Sequence, residues 1–301
     1  MGLFGIGCKK NNVETSGKCG ENITWTYDPG SKTLTLIGSG DMETEEQFPW
    51  KDIKIKKVVF DDNITSISNS AFYSNHDLTG TLTLPRNLKK IEEFAFYGCD
   101  GLDGDLVIPE GTEAIGNYAF TQCHGINGKL VLPSTLKNIG DEAFAQCDGI
   151  TGGINLSEGL ETIGKSAFYK CKSLTGNLII PDSVVSIGPY AFGYCENFNG
   201  KLKLSQSLKE IPFGAFTQCK GFTGDLIIPD SVTSIGFEAF CGCSSFNGSI
   251  LLPDGISSIG YYACQGCGAI SGKLQIPADL KIIERNVFSG CRSLTSIIIP
   301  E

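Results

Sequence analysis

Tryptophan, methionine and histidine are scarce, with two of each in 301 residues. So few histidines leave little material for imidazole-based metal binding or proton transfer. No apolar run approaches the roughly 20 residues that a membrane-spanning helix requires. Basic excess is missing too. The formal net charge is −9 and the pI near 4.9, which argues against nucleic acid and against an anionic membrane surface, since both select basic faces. There is no G-x-S-x-G, no phosphate-binding P-loop and no H-E-x-x-H. The carboxylates scatter without forming an acid/base pair. These absences leave no catalytic residue, metal site, cofactor or small-molecule substrate to nominate, and the expectation is a protein without enzymatic activity.

Glycine, at 38 copies, and cysteine, at 13, are plentiful. Their placement explains why. Ala-Phe occurs at Ala71-Phe72, Ala95-Phe96, Ala119-Phe120, Ala143-Phe144, Ala167-Phe168, Ala191-Phe192, Ala215-Phe216 and Ala239-Phe240. Degenerate copies follow at Ala263-Cys264 and Val287-Phe288, and every step is 24 residues. Isoleucine keeps the same register from Ile67 to Ile283, and cysteine keeps it from Cys99 to Cys291, with Asn75 in the first slot. A fixed period of this length is the mark of a stacked repeat array, in which no unit buries its apolar face alone.

Within each unit apolar residues alternate before a proline, as in Leu106-x-Ile108-Pro109 and Leu226-x-Ile228-Pro229. This predicts a short strand with one buried face, stopped by a residue that cannot donate to a ladder. Eleven such strands, from Val58–Phe60 to Ile297–Ile299, are expected to form one parallel sheet. The Ile-Gly segment supplies further inward residues, and Ala-Phe is expected to fill the core from a short helical or 3-10 turn. Nine cysteines on the period form an internal ladder rather than the paired C-x₂₋₄-C of a zinc site, and act as small buried hydrophobes. The final unit, ending in Ser296–Pro300, reverts to a 23-residue spacing. His76 and His124 share one column two turns apart, too distant to hold a common metal.

The repeat "IPDSVTSIGxxAFxxCxxL" resembles the BspA-like leucine-rich repeats over roughly residues 55–301, the extra glycine (Gly80, Gly104, Gly128 and onward) being a departure from the commoner 23-residue unit. That glycine is expected to loosen the turn into the strand. The resemblance implies a leucine-rich-repeat solenoid of α/β type, mostly short parallel strands with short helical or 3-10 turns. It also implies adhesion to host matrix or surface proteins, from a cell-surface or secreted location.

Residues 18–54 read as an N-terminal β-hairpin cap, alternating around the Asp28-Pro29-Gly30 turn, with Phe48 and Trp50 covering the first repeat. Residues 1–17 read as a flexible tail or the remnant of a signal. There "GIGCKKNN" has the look of a lipoprotein signal end, making Cys8 a lipidation candidate. Myristoylation at Gly2 is the weaker rival, because Ile6 stands where Ser or Thr is wanted. At the other end no cap is evident, so an apolar strand edge stands open to pairing.

The strand residue between the two inward positions must face solvent. After Thr83 this column reads Val107, Val131, Asn155, Ile179, Lys203, Ile227, Leu251 and Gln275. Aliphatic residues dominate where a solvated face would be polar, and the neighbouring column (Asp105, Lys129, Lys201, Asp225, Lys273) carries both charges. That composition suits a protein-binding surface, although β-branched residues favour strands in any case. Two functional readings remain: a surface-displayed protein that binds a protein ligand, or a structural scaffold, intracellular and self-associating through its open C-terminal end.

Overall fold

The computed structural model describes residues 14–44 and 48–300. The first three strands, β1 (Ser16–Gly20), β2 (Asn22–Asp28) and β3 (Thr33–Asp41), pair as successive antiparallel neighbours. Ser16 and Gly17, left in the tail by the sequence reading, belong to β1. The Asp28 carboxylate shapes the β2–β3 turn. Its Oδ1 accepts from the Gly30 amide at 2.9 Å and its Oδ2 from the Ser31 hydroxyl at 2.6 Å, bonds that hold this carboxyl below its ordinary pKa, the Ser31 one foremost.

β3 also opens the solenoid. Thr33–Leu36 pair in parallel with β4 (Lys57–Phe60), and Gly40–Asp41 with β5 (Ile64–Ile67). Trp25, Phe48 and Trp50 are buried beside it, and Trp50 stacks on Phe72 at 6.1 Å while its indole N–H donates to the Ala71 carbonyl at 2.7 Å. This aromatic group thus sits against the first Phe rung.

From Phe72 to Phe240 eight fully buried rings form one continuous stack, with centroids 5.1–5.7 Å apart and planes within 12°. Beside it run the Ile rungs and the cysteines. The thiols do more than fill space: Cys99 Sγ donates to the Phe72 carbonyl at 3.1 Å, and each ladder cysteine up to Cys267 repeats this 27-residue step onto the equivalent Phe carbonyl. Burial pushes the Cys99 thiol up to about 12.

The expected helical or 3-10 turns are absent among the described residues. Instead the Phe amide of each coil donates to the Ala carbonyl of the next, from Phe72→Ala95 to Phe240→Ala263, at 2.7–2.9 Å. An amide used between coils is lost to a helix, whose bonds run back along the same segment. The residues flanking the motif adopt left-handed φ, for example Tyr118 at 57° and Gln122 at 61°. That conformation breaks a right-handed helix and costs roughly 1–2 kcal/mol per residue, a cost offset by the bonds between coils.

Strand pairing also differs from expectation. The long ladder runs through the Ile-Gly segments: β5 and Lys90–Ile91, Ala114–Ile115, Asn138–Ile139, Thr162–Ile163 and Ser186–Ile187 form one run. Glu210–Ile211, Ser234–Ile235 and Ser258–Ile259 form a second. Each Gly amide donates back to the preceding Ile carbonyl, as in Gly188→Ile163 at 2.8 Å and Gly236→Ile211 at 2.7 Å. Glu92 makes the same bond to Ile67 at 2.9 Å, but between closely approaching coils the glycine leaves no room for a side chain, since a Cβ on Gly188 would lie 2.3 Å from the Lys165 backbone nitrogen. Pro212 stands where other coils have glycine, has no N–H to give the Ile187 carbonyl, and the ladder divides there.

The pre-proline segments, expected as one sheet of eleven strands, pair only in twos after β4: Leu106–Val107 with Leu130–Val131, Leu178–Ile179 with Leu202–Lys203, Leu226–Ile227 with Ile250–Leu251, and Gly272–Gln275 with Leu294–Ile298. The last pair matches Leu274 to Ile297, the 23-residue step read from the sequence. On the last described coil Ile283, expected as a core rung, is 43% exposed, because among the described residues no coil is stacked on its outer side.

Candidate binding surface

Side-chain clamps hold three of the four pairs. In one coil Asp225 Oδ1 accepts from the Ser249 amide of the next at 2.7 Å, while Asn247 Oδ1 accepts in return from the Gly224 amide at 2.8 Å. Asp105 with Asn127 and Asn177 with Asn199 make the same reciprocal clamp. A Cβ on Gly248 would sit 2.2 Å from Asp225 Oδ1. The extra glycine thus admits the clamp in these coils rather than loosening the turn. The signal was present in the chain: the residue before the glycine is Asn at 127, 199 and 247, and Thr or Ser at 79, 151, 175, 223 and 271.

These clamps set the geometry of the outward column. Val107 lies beside Val131, Ile179 beside Lys203, and Ile227 beside Leu251. Asn155 stands on an unpaired segment, and Gln275 lies opposite Ile298. All eight side chains are exposed, the five aliphatic ones by 44–52%. Between the second and third pairs the coils part, leaving a cleft of about 410 Å³ lined by Lys201, Lys203, Gln206, Asp225 and Ile227 with Leu202 and Leu204. The column is therefore a series of two-coil steps rather than an even stripe. Lys129, Lys201, Lys203, Asp105 and Asp225 supply charge around it.

The other residues singled out by sequence fall elsewhere. His76 pairs with Asp100 and His124 with Asp148, each at 2.9 Å on exposed loops. Among the described residues no group of three or more His, Cys, Asp or Glu is placed to hold a metal ion, and no helix is long and apolar enough to cross a membrane. Cys8 and most of the tail lie outside the described residues.

Coils stacked at a 24-residue step, with internal rungs of Ile, Phe and Cys, define a repeat solenoid. A family model described as the BspA type leucine-rich repeat region, in six copies, matches residues 44–175, 114–224 and 222–301. The chain belongs to that family. Among solved structures it is similar to a leucine-rich repeat protein from Eubacterium ventriosum, with 18% identity, coverage of 95% of this chain and 84% of that one, and a TM-score of 0.50. A Treponema pallidum leucine-rich repeat protein gives 19%, 82%, 87% and 0.43 for the same four quantities. A leucine-rich cell surface protein from Faecalibacterium prausnitzii gives 20%, 92%, 93% and 0.38. At these identities the first likeness speaks for the fold alone. No curated protein matches the chain.

Proposed function

We propose that the chain is a non-enzymatic binding protein, displayed on a cell surface or secreted, that engages a host matrix or surface protein through the outward column. One observation carries the reading: Val107, Val131, Ile179, Ile227 and Leu251 are aliphatic, each about half exposed, and aligned on one side of a stack whose interior is already filled. Exposed apolar area with a charged rim is the composition of a recognition surface. A rigid solenoid presents it with little ordering cost on binding. The compartment and the host partner come from the family resemblance.

The test is surface-immobilised binding of the purified chain to a panel of matrix proteins, alongside the double variant Ile179→Glu with Ile227→Glu. The expected result is saturable binding that falls at least about tenfold in the variant, equivalent to about 1.4 kcal/mol, with unchanged thermal melting. Retained affinity in the variant rejects the site. A panel that binds nothing rejects the matrix reading.

A further inference from the structure

A second surface lies on the other side of the core, where the Ile-Gly ladder divides. Just outside the buried Ala-Phe pairs, Tyr194, Tyr169, Tyr190, Phe213, Phe237 and Tyr262 touch in an unbroken series, with centroid distances of 4.6–6.1 Å and interplanar angles of 61–81°. Phe213 and Phe237 are 39% and 38% exposed, and neighbouring Tyr261 is 43% exposed. The four tyrosines of the series are half-buried, so the track reaches solvent mainly at Phe213 and Phe237, and grouped exposed aromatic area of this kind marks an interaction surface.

Beside the track runs a trough of about 530 Å³ with Pro189, Pro212, Phe213 and Tyr261 on its walls and Glu210 and Glu284 among its lining residues. The Glu284 carboxylate beside Tyr261 raises its phenol, and Glu238 stands close enough to Tyr190 to raise its phenol, after burial. Among the described residues none of these three carboxylates is in an ion pair. At the trough's edge Pro212 leaves the Ile187 carbonyl without the amide bond its counterparts receive. A second cavity of about 270 Å³ opens there between Ile187 and Glu210.

We propose that this trough is a binding site for an extended peptide segment bearing arginine or lysine, independent of the aliphatic column. Aromatic faces attract a guanidinium or ammonium through the ring quadrupole; Glu210 and Glu284 outweigh the single cation of the lining, Lys281, and Glu238 adds negative charge beside Tyr190 on the track. The peptide class is favoured over a glycan by the packing of the rings. Edge-to-face contacts at 61–81° leave no flat platform for a sugar ring but form notches for narrow side chains. From Pro189 to Glu284 the trough spans four coil steps, about 20 Å, which matches about seven residues of polyproline II chain. Aromatic-lined grooves recognise such segments because the guest is already extended.

The test uses the whole chain and fluorescence polarisation with a labelled peptide of about eight residues alternating proline and arginine. A proline–glutamate counterpart and a labelled chitohexaose are the comparisons. The expected result is binding of the arginine peptide at least about tenfold tighter than either comparison. Glu238→Gln with Glu284→Gln, which preserves shape, weakens it about fivefold or more, as does Phe213→Ser with Phe237→Ser. Ile179→Glu with Ile227→Glu leaves it unchanged, which separates this site from the outward column. Equal binding of both peptides, preference for the oligosaccharide, no binding at all, or full affinity in the carboxamide variant overturns the proposal.

Discussion

Replacing Phe144 with alanine tests the stacked core directly. The ring is fully buried and lies between Phe120 at 5.6 Å, with planes 1° apart, and Phe168 at 5.4 Å, with planes 12° apart. Truncation of a buried phenylalanine costs about 3–5 kcal/mol, and the cost depends on how far the site can collapse. Here collapse is resisted. The Phe144 amide is bonded to the Ala167 carbonyl and the Phe120 amide to the Ala143 carbonyl, both at 2.8 Å, so the backbone spacing holds and the void stays open. The upper half of that range is expected. Phe240 supplies an internal scale, because its ring meets Phe216 on one side but Cys264 fills the Phe slot on the other. Phe240→Ala loses one ring contact fewer and is expected to cost less by about 0.5–1.5 kcal/mol. Urea unfolding followed by far-ultraviolet circular dichroism measures both, provided the slope is shared with the parent chain. A loss below about 1 kcal/mol for Phe144→Ala, or a larger loss for Phe240→Ala, refutes the stack as a principal source of stability.

Alkaline titration should expose the cysteine ladder. The folded state holds the Cys99 proton to about 12 against an ordinary 9.0. Unfolded thiols therefore lose protons first, and stability that is complete below pH 9 falls as pH rises toward 12. The Cys99 thiol contributes a slope of about 1.4 kcal/mol per pH unit in that window. A urea midpoint flat between pH 8 and 11, or a slope unaltered in Cys99→Ser, contradicts this. The clamp is tested by Asn247→Ala, which removes the acceptor of the Gly224 amide and is expected to cost about 0.5–1.5 kcal/mol. Hydrogen exchange should quicken at the Leu226 and Ile228 amides, which bond to the Ser249 and Leu251 carbonyls; unchanged protection there means the clamp does not hold the pair together. The double charge substitution on the outward column and the arginine-peptide titration of the trough complete the set.

Several of the misreadings have one origin. The helix expected around Ala-Phe and the continuous pre-proline sheet are both questions of where amides send their bonds. Inside a coil Phe72 has the local pattern of a helical turn, yet its amide bonds to Ala95. Whether the strand at Leu202 pairs forward or backward depends on Asn199, which reaches Gly176, and not on the strand's own residues. The aromatic track escaped notice because Tyr169, Tyr190 and Phe213 occupy different columns of the repeat, 21 and 23 residues apart.

By itself the chain's 24-residue period determined that coils stack and which columns face inward, because a side chain repeated at the same place in every coil must meet its own copies. Burial of the Ile, Phe and Cys rungs from Ile67 to Cys267 follows from that alone. Tertiary structure decided which amides bond within a coil and which between coils, where the strands part, and how aromatic rings and carboxylates of separate columns gather at the trough. Those outcomes rest on contacts between side chains and the backbone of the adjoining coil, and such contacts have no fixed signature within a single repeat.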